Sequence, residues 1–263
     1  MRSGCSAIQP DEAGSQLLIG KACFLVKAHS LPNGYNQRPG MTLLLAADNV
    51  PLELEIEGQR AVASGWLLAP ELRRRFINPQ PHISITIEPE HAAYSRLLRW
   101  ARLSPLQFQE LGAVDRSEDL LNVATQQDLD LWLSRLLDAN HQPSAPPSPR
   151  LMYLLAIVDE AEPDTTAEDV WQAFRSRYPS TQAHCSHWLQ ESLGIPLRKL
   201  LLWRKLRRAL EMVSEAKHAT EVAHAAGFAD SAHLSRICLR TFGLKPSQAN
   251  DHKILQVRRL PDC

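Results

Sequence analysis

The chain has 263 residues, of which 44% are hydrophobic, and it carries 29 basic and 29 acidic side chains. This length can hold two modest domains, because a typical domain contains roughly 100–150 residues. No apolar run approaches the roughly 18 residues that a membrane-spanning helix requires, so we expect no membrane partner. The polar N-terminus lacks the apolar core of a secretory signal, and the five cysteines form no CxxC pair. We therefore expect a cytoplasmic protein with reduced thiols.

Charge is distributed unevenly along the chain. Residues 1–149 contain 13 basic and 16 acidic side chains, whereas residues 175–259 contain 15 basic and 6 acidic side chains. A positive segment in an otherwise neutral protein indicates a polyanionic partner. The proline-rich segment 140–150, whose composition is typical of an extended spacer, marks the boundary between the two halves of the chain.

The first predicted elements are short strands. The segments LELEIEG (52–58) and ISITIEP (83–89) alternate apolar and polar residues, which is the period of a strand. After Pro89 the pattern becomes helical and ends with a helix predicted at 117–139. Strands followed by helices predict an α+β fold that begins with a small β-barrel and a helical appendage. The apolar face of the last helix either completes this core or pairs with a second copy of the chain.

Three consecutive arginines stand out in the segment ELRRRFINP, residues 71–79. On a strand, Arg73 and Arg75 share one face and Arg74 takes the other. Arginines that point into an apolar barrel require an anion, so Arg73 and Arg75 are candidate ligands of an anionic effector. The alternative is a solvated rim in which they pair with neighbouring carboxylates, Glu53, Glu55 or Glu57.

The C-terminal half has the periodicity of successive helices, which predicts an all-α domain. Apolar faces predict one helix from about 167 to 178, a second from about 181 to 193 and a long one from about 196 to 215. In the long helix, the basic residues from Arg204 to Arg208 are expected on a solvated outer face.

A short turn then separates two further helices. Thr220 is suited to begin a short helix, Gly227-Phe228 forms a tight turn, and Asp230 or Ser231 caps a helix that Gly243 ends. This is the geometry of a helix-turn-helix, whose second helix enters the major groove of DNA.

The residues of this unit resemble a known family. Residues 219–248 are similar to the second helix-turn-helix of the AraC/XylS transcription regulators. The matching residues are Val222-Ala223, Gly227-Phe228, Leu234-Ser235-Arg236, Phe242-Gly243 and Pro246. The likeness extends through a linker helix, in which Lys205 replaces the usual Arg, to a first helix-turn-helix. In that first unit Pro179, Cys185 and Leu189 depart from the family pattern.

The resemblance implies a domain organisation. The N-terminal strands are similar in order to the cupin-like sensor domain of such regulators, in which the barrel holds an effector and the helices dimerise. The implied parts are a sensor and dimerisation domain at 1–139, a linker at 140–150 and an AraC-type DNA-binding domain at 151–263. Within the last, helix-turn-helix units at about 167–194 and about 220–243 flank a linker helix at about 196–215. Implied partners are double-stranded DNA, a small-molecule effector, RNA polymerase for an activator, and a second copy of the chain.

The family's base-reading positions can be carried over one by one. They are Ala183, Ser186 and His187 in the first unit, and Ser231, Ala232, Ser235 and Arg236 in the second. Arg236 has the chemistry to contact guanine through two hydrogen bonds, whereas an alanine offers only a methyl group to thymine. Arg240 and Lys245 are candidate phosphate contacts, which set register and not sequence.

No catalytic pattern is found in the sequence. There is no His-x-His in residues 20–95, and His29, His82 and His91 are far apart, so we predict no enzyme, metal site or cofactor. Two alternatives stay open. In one, a protein partner controls the chain and only the second helix-turn-helix reads DNA. The other is a DNA-repair alkyltransferase with an AraC-like domain, for which Cys5 and Cys23 are the only upstream thiols.

Overall fold

The computed structural model describes residues 15–29, 34–48, 50–78, 80–112, 117–142, 147–213, 219–243, 245–246 and 255–262. Within these ranges the first part of the chain is mainly strand and the second part mainly helix, as the sequence predicts. None of the helices in the described ranges is long and apolar enough to cross a membrane.

The described strands form two sheets. Their bounds are β1 (Ser15–Ile19), β2 (Cys23–Ala28), β3 (Met41–Ala46), β4 (Leu52–Ile56), β5 (Gln59–Ala63), β6 (Gly65–Leu68), β7 (Arg74–Phe76), β8 (His82–Ile87), β9 (Phe108–Leu111) and β10 (Leu255–Arg259). The large sheet has the order β10-β1-β2-β8-β3-β6-β9, and the small sheet has the order β5-β4-β7. In the described chain neither sheet pairs its two edge strands, so the expected barrel is replaced by two open sheets. Alternation of apolar residues is common to both arrangements, which explains why the sequence did not separate them.

Helices follow the strands. They are α1 (Tyr94–Ala101), a 3₁₀ turn (Ser117–Asn122), α2 (Gln126–Ala139), α3 (Pro149–Glu160), α4 (Ala167–Arg177), α5 (Gln182–Leu193), α6 (Leu197–Val213), α7 (Ala219–Ala225) and α8 (Ser231–Phe242). The pairs α4–α5 and α7–α8 are joined by α6, which confirms the predicted arrangement of the C-terminal half. Part of the expected extended spacer is helical, because Ser148 caps α3 and Pro149 begins it.

Both faces of the large sheet are buried. One face, which includes Leu25, Leu43 and Ile85, packs on α1, α2 and helices α3–α5 in a single apolar core. The other face is divided between two neighbours. Leu44 and other residues at one end contact the small sheet, and Phe24 and other residues at the opposite end contact α6, α7 and α8. The sheet therefore forms a common wall between the strands of the N-terminal half and the second helix pair.

The apolar face of α2 belongs to this core. Leu129, Leu133, Leu136 and Leu137 are buried within the chain, whereas Leu131 remains half exposed. The face of the predicted helix thus completes the domain core, and it is not free to pair with a second copy.

The last described strand corrects the expectation of an all-α C-terminal domain. β10 pairs in parallel with β1, from Ser15 with Leu255 to Ile19 with Arg259. Leu260 continues the contact by donating its N–H to the carbonyl of Ile19 at 2.9 Å. The chain therefore returns from the second helix pair to the N-terminal sheet and becomes its edge strand.

The turn of the second helix pair generates a stability prediction. Gly227 has φ 83°, and a Cβ at this position would lie 2.6 Å from the carbonyl oxygen of Pro163. We expect Gly227→Ala to lower the free energy of unfolding by about 1–3 kcal/mol, because both the backbone conformation and the clash oppose a side chain. Chemical denaturation measures this loss. Gly112→Ala is the matched control, because no heavy atom lies within 4 Å of its new Cβ. Equal stability of the two variants would contradict the prediction.

Candidate nucleic-acid interface

The first helix pair presents one helix to solvent. Thr166 caps α4 in a capping box with Asp169, and Thr181 caps α5 by accepting a hydrogen bond from the N–H of His184 at 3.2 Å. Cys185 and Leu189 anchor α5 in the core, where both are fully buried. Because these two residues fix the rotation of α5 about its axis, they also determine which of its residues face solvent.

The second helix pair is built in the same way around smaller residues. Ala223 and Ala226 are fully buried, so α7 lies close to its neighbours, and Phe228 fills the core beneath the turn. Asp230 caps α8 by accepting a hydrogen bond from the N–H of His233 at 2.6 Å. This hydrogen bond lowers the pKa of Asp230, so the cap stays ionised at the positive end of the helix.

The sequence-predicted base-reading residues lie on the outward faces of α5 and α8. Exposed side chains are Ala183, Ser186, His187, Ala232 and Arg236, and half-buried ones are Ser231 and Ser235. His187 forms an i,i+4 pair with Glu191 at 3.3 Å, and both side chains are well exposed. Arg240 and Lys245 are also exposed, at and beyond the C-terminal end of α8. In each unit the candidates therefore fall in the first turns of an accessible helix, as a major-groove reader requires.

The basic residues from Arg204 to Arg208 in α6 do not lie on a solvated outer face, contrary to expectation. Arg204 pairs with Glu90 and with Asp159, the latter at 2.8 Å. Arg207 pairs with Glu88, and Arg208 donates to the carbonyl of Ala161. The sequence shows the helix but not what packs against it, and here the partners are carboxylates and carbonyls of other elements. These arginines connect parts of the chain and are not available to phosphate.

Glu88 is the most deeply buried of these carboxylates. Its exposed fraction is 0%, and it accepts hydrogen bonds from Nε1 of Trp203 at 2.5 Å and from Arg207. Arg207 also donates to the carbonyl of Gly20. Burial raises the pKa of Glu88 to about 7, and the positive charge of Arg207 opposes this rise. The carboxylate thus fixes α6 to the end of β8.

Two arginines of the interior form no ion pair with a carboxylate in the described ranges. Arg38 donates through Nη1 to the hydroxyls of Ser84 at 2.7 Å and Thr86 at 2.8 Å, while its buried Nε has no partner. Arg74 is 2% exposed and donates to the hydroxyl of Thr42 at 3.0 Å. Burial lowers the pKa of Arg38 to about 10, and burial followed by the nearby charge of Arg38 lowers the pKa of Arg74. Positive charge therefore accumulates at this point of the interior.

Arg38 borders a cavity between the large sheet and α8. The cavity has a volume of about 60 Å³. Its wall is mainly apolar and is formed by both halves of the chain, including Phe24 and Val26 of β2, Leu210 of α6, Leu234 and Phe242 of α8, and Lys245. It is an apolar space with a guanidinium at one side.

The structure places Arg73 and Arg75, the predicted effector ligands, outside this cavity. Arg73 and Arg75 stack on the ring of Tyr35, with their guanidinium carbons 3.8 and 4.8 Å from its centroid. Arg75 also pairs with Glu55 at 2.6 Å, which is the rim arrangement that the sequence left open. β7 pairs with β4 so that Arg74 stands opposite the buried Ile56, and Arg74 is consequently the inward residue. Arg73 and Arg75 thus follow the rim alternative, and the buried arginine of this segment is Arg74.

Catalysis or repair would require a metal site or a reactive thiol. Within the described ranges, no group of three His, Cys, Asp or Glu side chains could hold a metal ion. Cys23 is 0% exposed, and burial raises its pKa to about 12, so this thiol stays protonated and inaccessible. Cys5 lies outside the described residues. The arrangement of Cys23 gives no support to the alkyltransferase alternative.

A family model identifies most of the C-terminal half. Residues 177–252 match the family model described as a helix-turn-helix domain. This segment is an AraC-type helix-turn-helix domain. The match begins at the end of α4 and covers α5, α6, α7 and α8 together with all the predicted motif residues. No curated protein sequence matches the chain.

Solved structures extend the likeness to the whole fold. A single-substitution variant of apo ToxT from Vibrio cholerae strain SCE256 matches with a TM-score of 0.60 and 11% identity over 89% of this chain and 98% of that chain. ToxT from Vibrio cholerae O395 bound to (E)-4-(8-methylnaphthalen-1-yl)but-3-enoic acid matches with a TM-score of 0.58 and 11% identity, over 89% and 100%. Wild-type ToxT with a bound unsaturated fatty acid, from strain SCE256, matches at 0.57 and 12%, over 92% and 97%. The AraC-type domain and the N-terminal sheets therefore share one two-part fold with ToxT.

Two groups of residues were not found from the sequence. Arg38 lies in the loop NGYNQRPG (33–40), where a single arginine before Pro-Gly gives no periodic signal. Glu88 and Glu90 follow β8, whose residues are buried along its whole length. A carboxylate that directly follows a fully buried strand is the one signal that could have indicated a buried ion pair.

The buried Glu88 generates a pH prediction. Its pKa is about 7 in the fold and near 4.5 in an unfolded chain, so the folded state binds the extra proton. The stabilising contribution is full below about 4.5 and is lost as the pH rises through about 7. Arg204, Arg207 and Glu90 are the charged groups that face this carboxyl most strongly.

We expect the stability of wild type to fall relative to Glu88→Gln between about pH 5 and about pH 8, because glutamine does not titrate. Denaturant unfolding at successive pH values measures the difference. Glu110→Gln is the control, since it removes an exposed carboxylate. Parallel stability curves for wild type and Glu88→Gln would contradict the assignment.

Proposed function

We propose that the chain is a cytoplasmic, sequence-specific DNA-binding transcription regulator of the AraC/XylS type. The observation that carries this proposal is the pair of helix-turn-helix units, in which the first turns of both α5 and α8 are open to solvent. A dimer of such chains that acts as an activator through RNA polymerase is the organisation we propose from the family resemblance.

The chemistry of the exposed residues ranks their roles in reading DNA. Arg236 projects from an exposed position of α8 and supplies the bidentate donor that recognises guanine. Ser231 and Ser235 contact bases or phosphates with little selectivity, and Ala183 and Ala232 offer methyl groups to thymine. Ser186 and His187 complete the first reader, and Arg240 and Lys245 contact phosphates. The second unit thus supplies most of the base discrimination.

Selection of binding sites from random duplex DNA at fixed salt tests this proposal. We expect wild type to select a bipartite motif, and Arg236→Ala to lose one guanine preference at a cost of about 1–3 kcal/mol, because the two hydrogen bonds to that base are removed. Arg135→Ala, which removes an exposed arginine of α2, should select the wild-type motif. A single short motif would favour control by a protein partner, and no enrichment at low or moderate salt would contradict the proposed function.

We further propose that a small anionic effector with an apolar body controls the regulator by binding in the cavity beside Arg38. The guanidinium donates to the hydroxyls of Ser84 and Thr86 and lies beside the Phe242 ring, and a carboxylate would supply a negative charge that none of these groups carries. The apolar wall suits a hydrocarbon body. Support also comes from ToxT, which has the same fold and binds an unsaturated fatty acid and a naphthyl-substituted butenoic acid. Both are apolar carboxylic acids.

The size of the cavity limits the length of a ligand that can bind without movement of α8. A volume of about 60 Å³ holds roughly four to six water-sized groups, so a short carboxylic acid fits and a longer one requires α8 to move from the sheet. Phe242 and Leu234 on α8 line the space directly. An effector in this place would therefore act on the second reader of DNA.

Thermal unfolding with hexanoate, and with hexanol as the uncharged analogue, tests the site. We expect hexanoate to raise the melting temperature of wild type more than hexanol does, because only the carboxylate pairs with Arg38. Arg38→Gln should abolish the difference, whereas Arg60→Gln, which changes an exposed arginine, should retain it. Equal shifts by the two compounds in wild type, or an unchanged difference in Arg38→Gln, would contradict the site.

A further inference from the structure

The N-terminal half contacts both recognition helices at their carboxyl ends. The last carbonyls of a helix have no partner within the helix, so they accept hydrogen bonds from whatever packs there, and positive charge is favoured at that end. α5 ends at Leu193 and α8 ends at Phe242, each followed by a glycine with left-handed backbone. In addition to these glycine caps, each helix end contacts a different element of the N-terminal half.

The end of α5 is held by one face of α1. Tyr94 is the first residue of α1 and Arg102 directly follows its last one, at positions i and i+8, so both side chains lie on the same side of this segment. The hydroxyl of Tyr94, a residue that is 2% exposed, donates to the carbonyl of Leu193 at 2.6 Å. Arg102 donates to the carbonyls of Glu191 at 2.5 Å and Gln190 at 3.2 Å. A phenol and two guanidinium N–H groups thus connect α5 to α1.

The end of α8 is held by the segment between β2 and β3. The N–H of Gln37 donates to the carbonyl of Arg240 at 2.9 Å, and the guanidinium of Arg38 lies 5.8 Å from the centroid of the Phe242 ring. This segment is itself fixed, because Asn36 and Arg74 exchange backbone hydrogen bonds of 2.8 and 3.0 Å. The position of α8 is therefore fixed relative to the sheets through this segment and its backbone hydrogen bonds.

DNA and the N-terminal half use opposite ends of the same two helices. The candidate base contacts fall in the first turns, at Ala183 to His187 in α5 and at Ser231 to Arg236 in α8. The holding contacts fall in or after the last turns. Binding of DNA at one end therefore does not compete with the contacts at the other. The distance between the first turns of α5 and α8 is set by the contacts at their carboxyl ends.

We propose that Tyr94 and Arg102 are positioning residues that set the base-pair spacing between the two half-sites of the DNA target. They do so by fixing α5 to the N-terminal half, to which α8 is fixed separately through Gln37. This inference rests on the proposed function, since it concerns how the two units read one site. A change of one base pair moves a half-site by about 3.4 Å and rotates it by roughly 35°, which a rigidly held pair of helices does not follow.

Binding to half-sites at varied spacing tests the proposal. The half-sites come from the selection with wild type, and duplexes carry them at the selected spacing or one base pair closer or farther apart. We expect the full-length wild type to lose at least about tenfold in affinity on either change, and Tyr94→Phe/Arg102→Ala to lose less than about threefold, because its α5 lacks these hydrogen bonds to the N-terminal half and is held less rigidly. Affinity for the isolated second half-site should be equal in both proteins.

Two further variants serve as controls for this test. Arg135→Ala should retain the wild-type dependence on spacing, and Arg102→Ala alone, a change at an exposed residue, should give an intermediate dependence if the double variant unfolds. An unchanged, steep dependence in the variants would overturn the proposal. Binding of wild type to one half-site without any spacing preference would also overturn it while leaving DNA recognition intact. Absence of sequence-selective binding by wild type would overturn the proposed function itself.

Discussion

The Glu88 carboxylate, fully buried at the end of β8, is the contact on which the relation of the two halves depends. It accepts hydrogen bonds from Trp203 and Arg207, which lie on the helix that joins the two DNA-binding units. A carboxylate in this position is costly unless all its partners are present, so the contact forms as a whole or not at all. Docking of α6 on the sheet is consequently a cooperative event, and it places the helix that joins the two helix-turn-helix units.

Local signals in the sequence predicted the local structure well. Capping residues such as Thr181 and Asp230, and the Gly227-Phe228 turn, act through neighbours within a few residues, so their spacing is sufficient to place the helices of both units. The same spacing placed the base-reading candidates on outward faces. For the N-terminal half, alternation of apolar residues predicted strands and the α+β class, but it contains no information on whether sheets close.

Contacts between distant parts of the chain were not predictable in this way. The face that Arg74 takes depends on its register with Ile56 of β4, and one residue of slip exchanges the two faces. β10 becomes a strand because the edge of β1 accepts it, more than 230 residues away in sequence. Arg204 and Arg207 look like surface residues on a helical wheel, and only the packing of α6 on β8 reveals their carboxylate partners. Each of these outcomes is decided by tertiary pairing and not by local propensity.

Charge compensation differs between the two places where the N-terminal half meets the DNA-binding units. Along α6, Arg204 and Arg207 face carboxylates, as Arg207 faces Glu88, so this contact is already satisfied. Beside α8, Arg38 donates to hydroxyls and forms no ion pair with a carboxylate in the described part of the chain, so that part of the interior gains stability from an anion that pairs with it. A ligand therefore has most to contribute beside α8 and least along α6. Because the α6 contact persists when the cavity fills, an effector is expected to shift the second reader against a fixed first reader, without separating the two halves.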